Sequence, residues 1–355
     1  MASPIRFSLF HRIWLSLLLV SLVPILAIWL LGRQAMLNQA QAAVEDQLRG
    51  VSARIKSEID GWSEADVQAL RLAAATPALI SLDPKQQKPV LQAALKEIPE
   101  SYLVHTVGAD GKNIARSDEE APKDYSQRKY FKDAFANVPL SHDVVIGSTS
   151  KKPSWVAGVP IVDNGKPVAA LVLAINLNKI AKIIEASRFG QTGFGLLMQD
   201  DGKLVASPNV PMGDKLIDFS TNPAYLAFKH GDANPIRFSE NDRDKIAYVQ
   251  RTAIGWINIV QQDLDEGMAP VRRADRFALI LLVLTLLLVS LIAYFVARSV
   301  SKPILSLTDV ADQISRGKLN HELLEKARGD EIGALARAID RMAKSMTIAL
   351  QKLRK

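Results

Sequence analysis

Between residues 124 and 134 the chain reads Asp-Tyr-Ser-Gln-Arg-Lys-Tyr-Phe-Lys-Asp-Ala, which sets Arg128 among Tyr125, Tyr130 and Phe131. A planar guanidinium grips a carboxylate through two parallel hydrogen bonds, and aromatic neighbours that exclude water strengthen that grip. Trp155 can supply a further wall. The same letters also allow a structural role, in which Arg128 pairs with Asp124 or Asp133 and Tyr130 is core. Buried ion pairs and carboxylate recognition look alike in sequence. Other chemistry is thin. His11, His105, His142, His230 and His321 are scattered, with no HExxH and no spacing that builds a metal site. Gly190-Gln-Thr-Gly-Phe-Gly195 lacks the Walker Lys-Ser/Thr and the Rossmann spacing, and predicts a loop before a strand. No nucleophile elbow is present, and the absence of cysteine excludes disulfides, thiolate metal sites and cysteine nucleophiles. Neither an enzyme nor a cofactor is expected.

The elements that must hold this stretch are organised around residues 277–297, FALILLVLTLLLVSLIAYFVA, which carry no charge. At about 1.5 Å per residue they cover a bilayer core of ~30 Å. Arg272, Arg273 and Arg276 precede them, and Arg298 and Lys302 follow. Residues 13–32 form a second apolar run, longer than the apolar core of a signal peptide, with Trp14 and Trp29 near its ends. Ala40-Gln-Ala42 resembles a cleavage site, so a cleaved signal is the alternative. Two spans place residues 1–12 and the C-terminal part on one side of the membrane and residues 33–276 on the other. Residues 33–276 carry balanced charge, and the whole surplus of +7 lies in the two end pieces. The high pI therefore does not mark a nucleic-acid binder. Lys/Arg counts beside the spans do not settle the orientation.

From residue 34 to about 76, Val44, Leu48, Val51, Ile55, Ile59 and Trp62 fall at helical spacing, predicting a long helix ended by Pro77. Its apolar stripe pairs either with a second copy or with the domain's own sheet. Strands are predicted at 102–107, 113–116, 144–146, 155–162 and 168–175, with helices at 130–137 and 177–189. The pattern then restarts: Val107-Gly-Ala-Asp-Gly-Lys112 is echoed by Met198-Gln-Asp-Asp-Gly-Lys203, each a strand entering an Asp-Gly hairpin turn. Later strands are predicted at 243–252 and 256–262. The fold class is α+β, a long helix with a duplicated antiparallel unit.

The long helix, the two hairpin-centred units and the 124–134 stretch together resemble a double Cache (tandem PAS-like) extracellular sensor domain. Residues 154–177, SWVAGVPIVDNGKPVAALVLAINL, are similar to that family's strand-turn-strand pair. The resemblance implies a distal unit at about 77–176, a proximal unit at about 190–265, a periplasmic location and a small-molecule ligand in the distal unit. It places Arg128 and Tyr130 over the ligand pocket. It also implies that amino-acid-binding members use an acidic residue late in the last strand for the ligand's ammonium group, where this chain has Ala174. A carboxylate-bearing ligand without a required amine is the expected class.

After the second span, Ile304, Leu307, Ala311 and Ile314, and then Ile332, Leu335, Ile339, Met342 and Met346, fall at heptad spacing. Two such seams per chain predict a four-helix parallel bundle in a homodimer. Gly317 and Gly329 bracket a connector. Pro303 near the first helix start, Gly317-Lys-Leu319, and Gly329-Asp-Glu331-Ile-Gly-Ala-Leu335 resemble a HAMP signal-relay domain at 298–350, ahead of a short end at 351–355. HAMP domains are cytosolic, which implies that both termini are cytoplasmic in a plasma-membrane protein. The resemblance implies a chemotaxis-type receptor, whose next segment would be a methylated helical hairpin; the sequence stops before one. The alternatives are the sensory half of a histidine kinase, diguanylate cyclase or phosphatase, or a short protein that tunes partner receptors.

Overall fold

The computed structural model describes residues 9–98, 100–318 and 323–353. The chain divides into two units, Asn38–Ala269 on the one hand and Met1–Leu37 with Pro270–Lys355 on the other.

In the first unit, helix α1 (Leu9–Ala74) contributes its second half, followed by α2 (Pro77–Ile80) and α3 (Pro84–Glu97). The distal sheet is built from β1 (Ser101–Gly108), β2 (Asn113–Arg116), β3 (Ser141–Ile146), β4 (Pro153–Asp163) and β5 (Lys166–Asn176), with α4 (Lys129–Phe135) between β2 and β3. After α5 (Asn178–Glu185) the proximal sheet repeats the scheme with β6 (Phe194–Met198), β7 (Leu204–Ala206), β8 (Ile236–Glu240), β9 (Arg243–Arg251) and β10 (Ile257–Asp263), and with α6 (Pro223–His230) between β7 and β8. The strand orders are β2-β1-β5-β4-β3 and β7-β6-β10-β9-β8, antiparallel throughout. This is one topology written twice. In each first hairpin a glycine holds a positive φ, +81° at Gly111 and +88° at Gly202, as the turn geometry requires.

The α1 stripe is buried inside its own unit. Val44, Leu48, Ile55, Ile59 and Trp62 join one core with residues of both sheets. Trp62 lies between Trp155 of β4, at 4.8 Å between ring centroids, and Trp256 beside β10, at 6.3 Å. The helix thus contacts each sheet through an indole, the side chain that buries most area per residue. Of the two roles open for this stripe, packing on the domain's own sheets is the one observed. Gln199 ties the sheets again: its amide accepts from Val144 N at 3.0 Å and donates to Val144 O at 3.3 Å.

In the other unit, α7 (Leu264–Gly267) having closed the sensor, helix α8 (Ala269–Ser315) lies beside the first half of α1. Both helices are long and apolar enough to cross a membrane. Trp14 Nε1 donates to Ser290 O at 3.3 Å, Phe10 meets Tyr294 edge-on at 5.6 Å, and Arg33 pairs with Asp275 at 3.2 Å. Many of their apolar side chains stay uncovered, Phe277 and Leu281 among them, as lipid-facing residues would. Each expected span is one stretch of a longer helix. Pro303 sits inside α8 rather than near the start of a separate one, because a proline removes a single N–H bond and its φ is already helical.

Beyond the 3₁₀ turn η1 (Leu324–Ala327), helix α9 (Glu331–Leu353) packs on the end of α8. Leu307 and Ile314 meet Ile332, Ala336 and Ile339. Ile304 is half-buried, Glu331 is exposed, and Leu335, Met342 and Met346 leave their side chains uncovered, so the expected seam divides between an inner and an outer face. Leu319 lies outside the described residues. The Asp-Glu-Ile-Gly motif has a local cause. Asp330 accepts the Gly333 N–H at 3.0 Å as a helix cap and holds Arg328, while a methyl group on Gly333 would overlap the Arg328 carbonyl.

Candidate ligand-binding site

The turn into α4 is fixed before any ligand chemistry arises. Tyr125 N donates to Gly111 O at 2.7 Å, and Asp124 Oδ1 accepts Ser126 N at 2.8 Å. Arg128 then occupies the N-cap of α4 in an extended conformation, and its Nη2 donates to Ser148 Oγ at 3.1 Å. The two carboxylates that could have neutralised it are occupied elsewhere. Asp133 pairs with Lys129 and accepts Ser141 Oγ at 2.5 Å, and Asp124 serves its own turn. Among the described residues Arg128 forms no ion pair.

Arg128, Tyr125, Tyr130 and Ala174 line one cavity of the distal unit, together with Tyr102 and His105. Its floor is the sheet face that carries Val156 and Ala174, paired across β4 and β5. Gly158, two residues further along β4, leaves room for Tyr130, whose Cβ would lie 3.1 Å from an added methyl group. Residues Gly147 to Thr149 join the lining, and the void is about 20 Å³, room for roughly one water molecule. A larger guest requires part of the lining to move. Trp155 is not part of this cavity. Successive residues of a strand point to opposite faces, and Trp155 faces α1 while Val156 faces α4. Phe131 packs in the same apolar cluster and meets Phe135 at 4.9 Å, outside the lining.

A second arginine stands behind the aromatic wall, and it is saturated. Arg116 holds Asp118 through two bonds of 2.7 Å, and donates to Tyr125 Oη and Thr149 Oγ1 at 3.2 Å each. Burial alone would raise the Asp118 carboxyl, but these bonds and the Arg116 charge hold it below the usual range. His105 is fully buried and stacks on Tyr125 at 4.6 Å. Burial, aided by the Arg116 charge, pushes its pKa down to about 3, so the imidazole is neutral. Burial likewise pushes the Tyr130 phenol up. Among the described residues no carboxylate lines the cavity, and Arg128 is the one formal charge in its lining.

The proximal unit is an internal control. Asp218-Phe-Ser220 repeats Asp124-Tyr-Ser126, down to the Asp218 Oδ1 bond to Ser220 N at 2.8 Å. Arg128 at the cap of α4 is answered by Asn222 at the cap of α6, and Tyr130 by Ala224. Tyr125 and His105 are answered by Phe219 and Leu196, which pack in an apolar core. The duplicated frame therefore keeps its turns and loses its polar side chains on one copy. Of the residues expected at a ligand site, Arg128, Tyr125, Tyr130 and Ala174 line this cavity; His105 and Tyr102 line it too and were not among them, since single polar residues within strands read as core. Comparing the two repeats position by position is the signal that would have found His105.

The chain matches the Cache domain family over residues 33–271 and the HAMP domain family over residues 295–347. It is 26% identical over 247 residues to methyl-accepting chemotaxis protein McpA of Bacillus subtilis, covering 68% of this chain and 36% of McpA, so it spans about a third of that relative's length. The ligand-binding domain of the Pseudomonas fluorescens chemoreceptor CtaA, solved with L-isoleucine, superposes with a TM-score of 0.52 at 14% identity, covering 67% of this chain and 98% of that domain. The extracellular domain of the putative histidine kinase mmHK1S-Z2 superposes with a TM-score of 0.54 at 13% identity, over 64% of this chain and 99% of that one. With a repeated antiparallel unit on a long helix and this family match over most of its length, the chain belongs to the Cache family of sensor domains and carries a HAMP domain that begins within the last part of α8.

Proposed function

We propose that the chain is the sensing and relay part of a chemotaxis-type transmembrane receptor, and that its distal cavity takes a small carboxylate-bearing ligand. The observation that carries this reading is Arg128, a guanidinium at a cavity that offers it no carboxylate. Placing an unpaired cation beside apolar surface is costly, and an anionic guest relieves that cost. CtaA was solved with L-isoleucine, whose ammonium group needs a counter-charge. Here Ala174 and its neighbours supply none, so a ligand without a required amine fits better.

In this reading residues 33–276 lie in the periplasm, the two apolar helices cross the plasma membrane, and both termini are cytoplasmic. Binding moves the Gly147–Thr149 loop and alters how α1 packs, and the shift passes along α8 into the HAMP helices. Such a relay works when two packings differ by a few kcal/mol. The outer face of α9, with Leu335, Met342 and Met346, supports a homodimer in which a second copy completes the bundle. A hybrid joining residues 1–350 to a chemoreceptor signalling hairpin tests the function. Cells bearing it should bias their swimming in gradients of short carboxylates, and an Arg128→Ala hybrid should not. The kinase-type alternative draws support from the shared fold of the mmHK1S-Z2 domain; a hybrid active only on a kinase core would favour it.

A further inference from the structure

The ring orientation and proton position of His105 follow from the hydrogen bonds around Asn113. Lys123 N, a backbone donor, points to Asn113 Oδ1 at 2.9 Å, and Arg116 Nη1 donates to the same oxygen at 3.3 Å. Asn113 Oδ1 is therefore the acceptor, and Nδ2 is the amine end, which also donates to Thr106 O at 3.3 Å. That amine lies 2.7 Å from His105 Nδ1, so Nδ1 accepts. A neutral imidazole whose Nδ1 accepts must carry its proton on Nε2. Nε2 has no hydrogen-bond partner among the described residues, and His105 lines the cavity. The Tyr102 and Tyr130 hydroxyls of the same lining also lack partners among the described residues, but a hydroxyl can donate or accept. His105 alone fixes the sense: it donates.

We propose that His105 is a specificity-determining residue whose Nε2–H, locked by Asn113, receives an uncharged oxygen on the ligand, so that the site selects short monocarboxylates with a second oxygen, of the 2-hydroxy or 2-oxo acid class. The proposal rests on the carboxylate reading of Arg128 given above. One cation matches one carboxylate, a fixed N–H donor matches a hydroxyl or carbonyl oxygen, and an ammonium group at that position would face the His105 donor, with only neutral hydroxyls and no carboxylate among the described lining residues to balance its charge. A donor left facing a methylene loses its hydrogen bond on binding, whereas a matched oxygen keeps it.

Four three-carbon probes separate the terms: pyruvate, lactate, propionate and alanine, titrated calorimetrically into the full chain in lipid nanodiscs. Pyruvate and lactate should bind about tenfold more tightly than propionate, in line with one hydrogen bond, and alanine most weakly. His105→Phe keeps the stacked ring but removes the donor, and should bring pyruvate and lactate down to the propionate level while leaving propionate unchanged. His105→Gln retains an N–H and should restore part of the discrimination. Should His105→Phe fail to fold by its melting curve, the probe order in the unaltered chain still decides. Carboxylates that bind through Arg128 with equal affinity whatever their second substituent overturn this inference and leave the carboxylate reading standing. Binding that survives Arg128→Ala, or no carboxylate binding at all, overturns both.

Discussion

Replacing Trp62 by alanine should be the most damaging single change in the sensor. Its indole is 6% exposed and lies between Trp155 at 4.8 Å and Trp256 at 6.3 Å, so its removal opens a void touching the helix and both sheets at once. Truncating a buried tryptophan costs about 3–5 kcal/mol through lost transfer energy and the cavity left behind. The neighbours cannot easily collapse into the gap, because Trp155 and Trp256 are each anchored in a strand register or at its edge. For a domain of this size each kcal/mol shifts the midpoint by roughly 2–4 °C, giving a drop of about 6–20 °C. Scanning calorimetry of the full chain, with near-ultraviolet dichroism to follow the indoles, measures it. Trp62→Phe should lose only part of this, as an aromatic ring still fills much of the space. A loss below about 1 kcal/mol for Trp62→Ala would refute the view that this residue holds the two sheets on one helix.

Three further outcomes follow from the same geometry. His105 at about 3 lies below its ordinary 6.5, so between those pH values the unfolded chain takes a proton that the folded chain refuses, and stability is lost on acidification by up to about 1.4 kcal/mol per pH unit. Asp66 is pushed up to about 6 by burial, so the folded chain binds its proton first and acidification from about 6 stabilises. His105→Gln should therefore flatten the acid limb of a melting-temperature profile and Asp66→Asn should steepen it; three parallel profiles would contradict the assignment. Asp330→Ala removes the α9 cap and should cost about 1 kcal/mol of helix stability, read by dichroism and hydrogen exchange at the start of α9. Because the chain has no cysteine, Leu335→Cys introduces a single thiol, and mild oxidation in membranes should yield a disulfide-linked dimer; a chain that stays monomeric at every exposed α9 position would argue against the bundle.

Much of the fold could be read from the residues, and what could not has physical causes. The apolar spacing from Val44 to Trp62 located a helix because period and partner agree, and the two Asp-Gly hairpins exposed the duplication because positive-φ turns leave a strong mark. Helix α3 was not among the expected elements: two prolines mask its periodicity, yet Pro84 stands in the first turn behind the Asp83 cap, where its missing N–H costs nothing. Strand β8 is short, charged and at a sheet edge, so its alternation is faint. Pro303, expected near the start of a separate helix, lies inside α8 because a helix already running tolerates one lost bond. Trp155 was expected at the cavity and lies on the other sheet face, since alternation fixes neighbours to opposite sides but not which side receives α4. For Arg128 the sequence left an ion pair and a ligand contact open; the separate engagement of Asp124 and Asp133 is a tertiary fact.

The most direct test of the account is whether an anion reaches Arg128. Thermal denaturation of the chain would be followed against small carboxylates, amino acids, amines and sugars, each with Arg128→Ala alongside. A short carboxylate should raise stability by about 2.7 kcal/mol at a hundredfold excess over its Kd, and the Arg128→Ala chain, with its own melting transition intact, should show no shift. Stabilisation by amines or sugars alone, or by a carboxylate equally in both chains, would contradict it.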